Sequence, residues 1–221
     1  MTVLSRREIG VLITCGLAVF IWSAIGPKDR FTWFLEVAPV MIGAGVLAGT
    51  FRRFPLTRLV CWLILSHSVI LMVGGHYTYA EVPLGFWFRD LLGLGRNHYD
   101  RLGHLAQGFI PAMICREVLL RTSPLREGKW LFALVCCVCL AFSATYELFE
   151  WAMAVMTGTA ADAFLGTQGD PWDTQWDMLF ALAGAILAQL LLGRWHGRQL
   201  GELKSPPESF KSSSLTPAQR G

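Results

Sequence analysis

The chain has 221 residues, of which 53% are hydrophobic and only 16% are charged. Because about a quarter of the residues in an ordinary soluble domain are charged, this composition argues against a soluble enzyme. Nine Trp and fourteen Phe favour an integral membrane protein, since aromatic side chains collect at bilayer interfaces and charges are excluded from hydrocarbon. The net charge of +3 is too small to indicate nucleic acid binding. We therefore expect the lipid bilayer to be its partner.

Six apolar segments predict transmembrane helices, each of which needs about 20 mostly apolar residues. In chain order they are residues 8–26, 31–51, 57–75, 101–120, 130–156 and 175–193. The fourth has only fourteen consecutive residues without Asp, Glu, Lys or Arg, from Leu102 to Cys115, but the arginines at its ends can extend toward water along their stems. The predicted fold is an all-α, six-helix transmembrane bundle.

The positions of Lys and Arg predict the orientation, because short loops rich in these residues stay in the cytoplasm. If the N-terminus lies inside, fourteen of the nineteen basic residues fall in cytoplasmic segments. The outer segments hold Lys28, Arg30, Arg89, Arg96 and Arg101. We therefore predict that both ends of the chain lie in the cytoplasm, an N-in and C-in topology.

The chain divides into a membrane domain, residues 1–196, and a tail, residues 197–221. The tail is rich in Ser, Pro and charged residues, so we expect it to be disordered in the cytoplasm. Between the third and fourth spans, the run from Phe86 to Leu92 mixes aromatic, leucine and charged residues. It predicts a short amphipathic helix at the outer interface, either as an anchor or as a lid.

Polar residues concentrate in the predicted outer half of the bundle, as counted at about 1.5 Å per helical residue. They are Glu36, His67, His104, Gln107, Glu147, Glu150 and Asp177. The inner half is expected to hold little beyond Gln189 and the boundary pair Arg116 and Glu117. Ionisable residues within a membrane usually mark a functional site, while the alternative is a hydrogen-bonded plug that fixes helix packing.

The first polar group is Asp100, His104 and Gln107, which share one face of a helix through their spacing of four and three residues. A carboxylate one turn from a histidine can orient the imidazole ring or bind a metal together with it. Alternatively, Asp100 begins the helix as an N-cap. The two interpretations are compatible.

The second group, Ser143, Glu147 and Glu150, shares a face by the same spacing. Its two carboxylates repel each other unless one is protonated or a cation lies between them. The third group consists of four acidic residues in a stretch of sequence that contains no Lys or Arg: Asp162, Asp170, Asp173 and Asp177. A helix N-terminus accounts for one of these acids. Oxygen-rich clusters suit Mg²⁺, Ca²⁺ or Mn²⁺, and an added histidine favours Mn²⁺, Fe²⁺ or Zn²⁺.

Three motifs carry a resemblance to the YjdF-like family of bacterial inner membrane proteins, over about residues 5–195. They are Tyr99-Asp100-Arg101-Leu102-Gly103-His104, Tyr146-Glu147-Leu148-Phe149-Glu150-Trp151 and Gly169-Asp170-Pro171-Trp172-Asp173-Thr174-Gln175-Trp176-Asp177. The resemblance implies a small multi-pass protein of the inner membrane and assigns it no reaction. The order of these acids is also similar to that in VanZ-like proteins, although Ala181 stands where that pattern has Asn.

These residues fit a metal-dependent membrane enzyme that acts at the outer face on a lipid-linked or envelope substrate, with a divalent metal ion as cofactor. Its candidate catalytic residues are Asp100, His104, Glu147, Glu150, Asp173 and Asp177. The candidate metal ligands are these six and Asp170, and the candidate substrate-binding residues are Arg89, Arg96, Arg101 and Gln107. The alternatives are a small transporter or an ion- or ligand-binding membrane protein, for which a homodimer could supply a path across the membrane.

Overall fold

The computed structural model describes residues 4–157 and 167–204, and within these ranges the chain is helical and contains no strand. The helices are α1 (Arg6–Ala24), α2 (Arg30–Thr50), α3 (Arg58–Tyr77), α4 (Pro83–Leu92), α5 (Tyr99–Thr122), α6 (Lys129–Thr157) and α7 (Asp173–Lys204). A single 3-10 turn, Tyr79–Glu81, leads into α4. The prediction of an all-α fold is confirmed, and the short helix expected near Phe86 is α4.

Five of these helices, α1, α2, α3, α6 and α7, are long and apolar enough to cross a membrane. The expected fourth span corresponds to α5, which is 24 residues long but is not among the five. Charged and polar residues at both of its ends lower its hydropathy, and it packs against α3, α6 and α7. The most polar long helix is therefore the one that its neighbours cover.

Helix ends are fixed by local signals in the sequence. Ser5 forms a capping box with Glu8 at the start of α1, and the Asp29 carboxylate accepts a hydrogen bond of 2.6 Å from the Thr32 amide at the start of α2. At the end of α4, Gly93 adopts a φ of 64°, a left-handed conformation that glycine enters without the strain of a Cβ atom.

Helices α5 and α7 approach each other closely because glycines face the partner backbone on both sides. A Cβ atom on Gly108 would overlap the carbonyl group of Ala181, and a Cβ atom on Gly184 would lie 2.8 Å from the Phe109 amide nitrogen. Ala185, one residue further on, is fully buried. Small residues at this spacing let helices pack backbone to backbone, and the contact brings the first turns of α5 and α7 side by side.

The middle of the bundle is an apolar layer to which α3, α5, α6 and α7 contribute. Its fully buried members include Val60, Ala112, Met113, Val135 and Ala188. Buried acidic residues lie toward one end of this layer, and a second polar group lies toward the other. The layer therefore separates two polar regions.

The structure corrects two expectations at the second of these regions. Helix α7 continues to Lys204, so residues 197–204 are helical and do not begin a disordered tail; residues 205–221 lie outside the described residues. The helix continues because His196 and Gln199 are buried against other elements. The expectation that this half holds few polar groups is also wrong, since His196 is completely buried beside Glu117.

Candidate functional site

Six buried polar residues from four helices meet at one end of the bundle, each no more than 9% exposed. We call them the acidic cluster: Glu36 of α2, Asp100 and His104 at the start of α5, Glu147 and Glu150 toward the end of α6, and Asp177 near the start of α7. The contact between α5 and α7 brings Asp177 beside the α5 residues.

The imidazole of His104 lies among three carboxylates. Its Nε2 atom is 3.6 Å from Asp100 Oδ1 and 3.9 Å from Asp177 Oδ2, and its Nδ1 atom is 3.8 Å from Glu147 Oε1. Hydrogen bonds between nitrogen and oxygen are about 2.7 to 3.2 Å long. These three distances therefore place the carboxylates around the ring without direct hydrogen bonds to it.

Three buried atoms of this cluster have no hydrogen-bond partner among the described residues: His104 Nδ1, Glu147 Oε1 and Asp177 Oδ1. The same is true of Ser143 Oγ, one helical turn before Glu147 on α6. More than nine-tenths of buried polar groups in proteins are partnered, so these four atoms are exceptions that leave hydrogen-bonding capacity unused among the described residues.

Three of the residues could share one cation. One ligand atom each of Asp100, His104 and Asp177 lies within 4.8 Å of the other two. Ligands of a common cation bound at 2.0 to 2.2 Å are about 3 to 3.5 Å apart, so small side-chain shifts would complete the site. Glu147 lies on the other side of the ring, at Nδ1, whereas Asp100 and Asp177 lie at Nε2.

Glu36 and Glu150 extend the cluster away from His104. The Tyr146 hydroxyl lies 3.2 Å from Glu36 Oε2, to which it donates. Tyr146 in turn stacks edge-on near His104, with their ring centroids 6.3 Å apart. Tyr146 thus links the α2 carboxylate to the α5 histidine, which the sequence pattern had not indicated.

Four residues form a second group beside the acidic cluster, the arginine lattice: Arg96, Arg101, Asp170 and Asp173. Arg96 Nη2 donates to Asp173 Oδ1 at 2.7 Å, and Arg101 Nη2 donates to Asp170 Oδ2 at 2.7 Å. Arg96 also donates to the Thr167 carbonyl at 2.8 Å. The segment from residue 167 to the start of α7 is thereby attached to the start of α5.

Asp170 lies in the loop before α7, and its carboxylate is held in the charged state. The Trp172 amide donates to Asp170 Oδ1 at 2.9 Å, and this bond, together with Arg96 and Arg101, lowers the pKa of Asp170 below its ordinary value. Asp170 and Asp173, predicted as metal ligands, therefore have guanidinium partners. Arg96 and Arg101, predicted to hold substrate, are engaged in the same lattice.

The start of α5 is positioned by a residue that the sequence reasoning missed, Asn97. Its amide nitrogen donates to the Val82 carbonyl at 3.0 Å, and its amide oxygen accepts from the Tyr99 backbone at 3.0 Å. Asn97 is fully buried against Gly85, where a Cβ atom would overlap its side chain. An Asn two residues before a helix is a common turn signal, and here it fixes the entry of the helix that carries Asp100.

The other predicted site residues lie apart from the cluster or beside it. Arg89 pairs with its neighbour Asp90 on the exposed face of α4, so the structure does not bring it to the acidic cluster. Gln107 is partly buried and adjoins His104. His67 of α3 is partly buried, and its buried Nε2 atom has no partner among the described residues. Asp162 lies outside the described residues.

The opposite end of the bundle carries a different arrangement, the ionic network: Thr57, Arg116, Glu117, Arg121, Glu127 and His196. The fully buried Glu117 carboxylate accepts from Thr57 Oγ1 at 2.7 Å and from Arg121 Nη1 at 2.6 Å. His196 Nε2 lies 3.0 Å from the same carboxylate. Each oxygen of Glu117 therefore has at least two partners, counting the Thr57 backbone amide.

His196 is partnered on both sides of its ring. Arg116 Nη1 lies 2.8 Å from His196 Nδ1, and a guanidinium can only donate. Nδ1 is therefore the acceptor, which leaves Nε2 to donate to Glu117. Arg116 also binds Glu127 at 2.6 Å. The sequence signal for this network was the polar run that starts at Arg194, which ended the predicted span at residue 193.

Comparison with known proteins adds the family. The family described as "Predicted membrane protein (DUF2238)" matches residues 9–198 of the chain. The chain belongs to this family. It is 53% identical over 182 residues to the inner membrane protein YjdF of Escherichia coli (strain K12), which covers 82% of this chain and 87% of that protein. No solved structure matches the chain.

Membership of the DUF2238 family confirms the predicted resemblance and places both the acidic cluster and the ionic network inside the family region, residues 9–198. With five helices able to cross a membrane and a relative named as an inner membrane protein, the predicted location in the inner membrane is confirmed. The family description assigns no reaction, so function has to be argued from the site.

Proposed function

We propose that the acidic cluster binds a divalent cation and that the protein is a metal-dependent membrane enzyme acting on a lipid-linked substrate. The observation that carries this proposal is His104, which is 5% exposed and lies 3.6 to 3.9 Å from three carboxylates without a hydrogen bond to any of them. Buried carboxylates around a neutral imidazole repel one another, and a cation between them removes that repulsion.

Asp100, His104 and Asp177 are the proposed protein ligands, with Glu147 beside them. Two oxygen ligands and one nitrogen ligand favour Mn²⁺, Fe²⁺ or Zn²⁺ over Ca²⁺. A cation held there would supply Lewis-acid chemistry. Glu147 and Glu150 of α6, both buried in the acidic cluster, would hold or release a proton beside it.

We further propose a six-span topology with both ends in the cytoplasm. Helix α5 has 24 residues, which at 1.5 Å per residue is about 36 Å, longer than the hydrocarbon core of about 30 Å. The excess of basic residues in segments on one side supports the N-in and C-in orientation. The acidic cluster then faces the outer surface of the inner membrane, with α4 along the interface.

A path across the membrane, which a transporter requires, is less well supported. Between the acidic cluster and the ionic network, the described residues form the closely packed apolar layer that contains Ala112, Met113 and Ala185. Gly108 and Gly184 bring the two helix backbones into contact there. This arrangement favours a site that opens to one side over a conduit.

The metal content of the purified protein tests the proposal. Full-length protein in detergent is dialysed exhaustively and measured by elemental mass spectrometry, beside Asp177→Asn and Asp173→Asn. These two acids begin α7 one turn apart, but Asp177 faces His104 while Asp173 pairs with Arg96. We expect close to one divalent metal per chain in wild type and in Asp173→Asn, and its loss in Asp177→Asn.

Absence of metal from the wild type, also after incubation with Mn²⁺, Fe²⁺ or Zn²⁺, would contradict the proposal and favour shared protons in the cluster. Equal retention of metal by both variants would move the site away from Asp177. Size-exclusion chromatography of each variant checks that a lost metal does not reflect a misfolded chain. Where the metal is retained, release of phosphate from long-chain lipid phosphates is the first reaction to assay.

A further inference from the structure

An apolar groove runs along the side of the bundle next to the acidic cluster. It consists of two adjoining cavities of about 380 and 230 Å³ that share Leu94, His98 and Leu102 as lining residues. Phe88 of α4 closes one side, and Phe180 of α7 closes the other. The groove therefore lies between α4, α5 and α7.

The lining of the groove is suited to a hydrocarbon chain. Its walls are mainly leucine and phenylalanine side chains, and several are open to the surroundings: Leu94 is 38% exposed, Leu102 39% and Phe88 44%. In a membrane protein, such a surface contacts lipid. A groove adds a shape that can hold one chain in a fixed position.

The polar end of the groove offers hydrogen-bond donors that have no acceptor. Arg101 lines the larger cavity, and its Nη2 atom donates to Asp170, but its buried Nε atom has no partner among the described residues. His98, which lines both cavities, likewise has an unpartnered Nδ1 atom. A guanidinium and an imidazole at one end of an apolar groove suit a phosphate group, to which the Arg101 guanidinium can donate.

The groove ends at the residues that flank the proposed metal ligand Asp100. Tyr99 lines the smaller cavity and Arg101 lines the larger one, while Asp100 between them is buried in the acidic cluster. A headgroup bound at Arg101 would therefore stand next to the acidic cluster while its chain stays in the bilayer.

We propose that this groove binds one hydrocarbon chain of a phosphate-bearing lipid, with the lipid phosphate held by Arg101 and His98. The inference deepens the proposed function, because it names the substrate class and its route to the acidic cluster. The binding itself does not require the cation. It can be tested separately.

Native mass spectrometry of the full-length protein, released from detergent, counts bound lipids. The probes are dioleoyl phosphatidic acid and dioleoylglycerol, which have the same chains and differ only in the phosphate. We expect wild type to bind one phosphatidic acid about tenfold more tightly than the diacylglycerol, as a charge-assisted hydrogen bond allows. Arg101→Gln should remove that preference while diacylglycerol binding remains.

A pair of leucine variants tests the groove itself. Leu102→Trp fills the point that both cavities share, whereas Leu187→Trp changes a leucine of α7 with similar exposure, 42% against 39%, that lines neither cavity. We expect Leu102→Trp to weaken phosphatidic acid binding by about tenfold or more, the scale at which filling a pocket removes an anchored chain. Leu187→Trp should bind like wild type.

Equal binding by the two leucine variants would overturn the proposal. Wild-type binding of inorganic phosphate as tight as that of phosphatidic acid would also overturn it, because the hydrocarbon chain would then contribute nothing and the site would bind free phosphate. The metal content of the same preparations separates the two proposals: lipid binding without metal contradicts the proposed function alone, and metal without lipid binding contradicts the groove alone.

Discussion

The two ends of the bundle use the same residue types with opposite results. Each has a buried histidine beside buried carboxylates. In the ionic network, both ring nitrogens of His196 have partners, at 2.8 and 3.0 Å. In the acidic cluster, the carboxylate oxygens of the described residues come no closer than 3.6 Å to the ring nitrogens of His104. Buried ionisable groups are thus paired at one end of the bundle and unpaired at the other.

The difference arises from the distribution of arginines. At one end, Arg116 and Arg121 point into the network and bind Glu127 and Glu117. At the other, Arg96 and Arg101 are engaged by Asp170 and Asp173 of the arginine lattice and leave the acids around His104 without a basic partner. The first region thus joins helices through paired charges, and the second keeps the unpaired groups on which the proposed cation site depends.

Loss of the Glu117 carboxylate is expected to have the largest effect on stability. Glu117→Gln leaves Arg121 and His196 buried or half-buried without their anion, and breaking a buried ion pair costs about 3 to 5 kcal/mol. We expect a large fall in the unfolding midpoint measured in detergent. The control is Glu81→Gln, which breaks an ion pair with Lys28 that is about half exposed on both sides and should cost about 1 kcal/mol or less. Equal effects would show that the network does not stabilise the fold.

A methyl group at the α5–α7 contact is expected to have the next largest effect. In Gly184→Ala, the new Cβ atom meets the Leu105 carbonyl and the Phe109 amide, and overpacking of this kind costs about 1 to 3 kcal/mol. Gly193→Ala on the same helix has open space, and alanine should stabilise that position by up to about 1 kcal/mol. Opposite shifts in the unfolding midpoint confirm the contact; a neutral Gly184→Ala contradicts it.

The acidic cluster should respond in the opposite direction to the ionic network. With metal removed by a chelator, Asp177→Asn takes away one of several carboxylates that repel each other and should raise the free energy of unfolding by about 1 kcal/mol. With metal present at 100 times its dissociation constant, wild type gains about 2.7 kcal/mol and the variant gains less. If Asp177→Asn is as destabilising without metal as Glu117→Gln, the cluster is a structural plug.

Much of the fold could be predicted from the sequence, because hydrophobic segments and caps are local signals. The spacing of Asp100, His104 and Gln107 alone predicted that they share one helix, and all three lie in α5. The sequence could not show which acids meet which bases. Asp173 and Asp177 lie one helical turn apart, so the sequence alone does not assign them different partners. In the structure, the rotation of α7 against α5 directs Asp173 to Arg96 and Asp177 toward His104.

The ionic network was missed for a related reason. His196 and Arg116 are 80 residues apart in the chain, and no periodic pattern connects them. The predicted span ended at residue 193 because hydropathy falls where Arg194 begins the polar run, yet in the structure those polar groups satisfy one another and the helix continues. Hydropathy registers the polarity of a residue but not the presence of its partner.

The smallest expected effect belongs to the arginine lattice and depends on pH. The pKa of Asp170 is lowered from its ordinary value of 3.8 by the Trp172 amide and by Arg96 and Arg101, so the charged carboxylate favours the folded loop. This contribution is fully present above the ordinary pKa and is lost as the pH falls through the lowered value. Wild type and Asp170→Asn should therefore differ in loop stability at pH 7 and converge only as the pH falls below the lowered pKa of Asp170. Proteolysis at the segment before α7, with an acid-tolerant protease at low pH, measures the difference. Asp90→Asn on the exposed face of α4 is the control.

A difference in loop stability between wild type and Asp170→Asn that persists unchanged in acid would contradict this prediction. It would assign the stability of the loop to its backbone turn, and the arginines would then be free to bind a substrate.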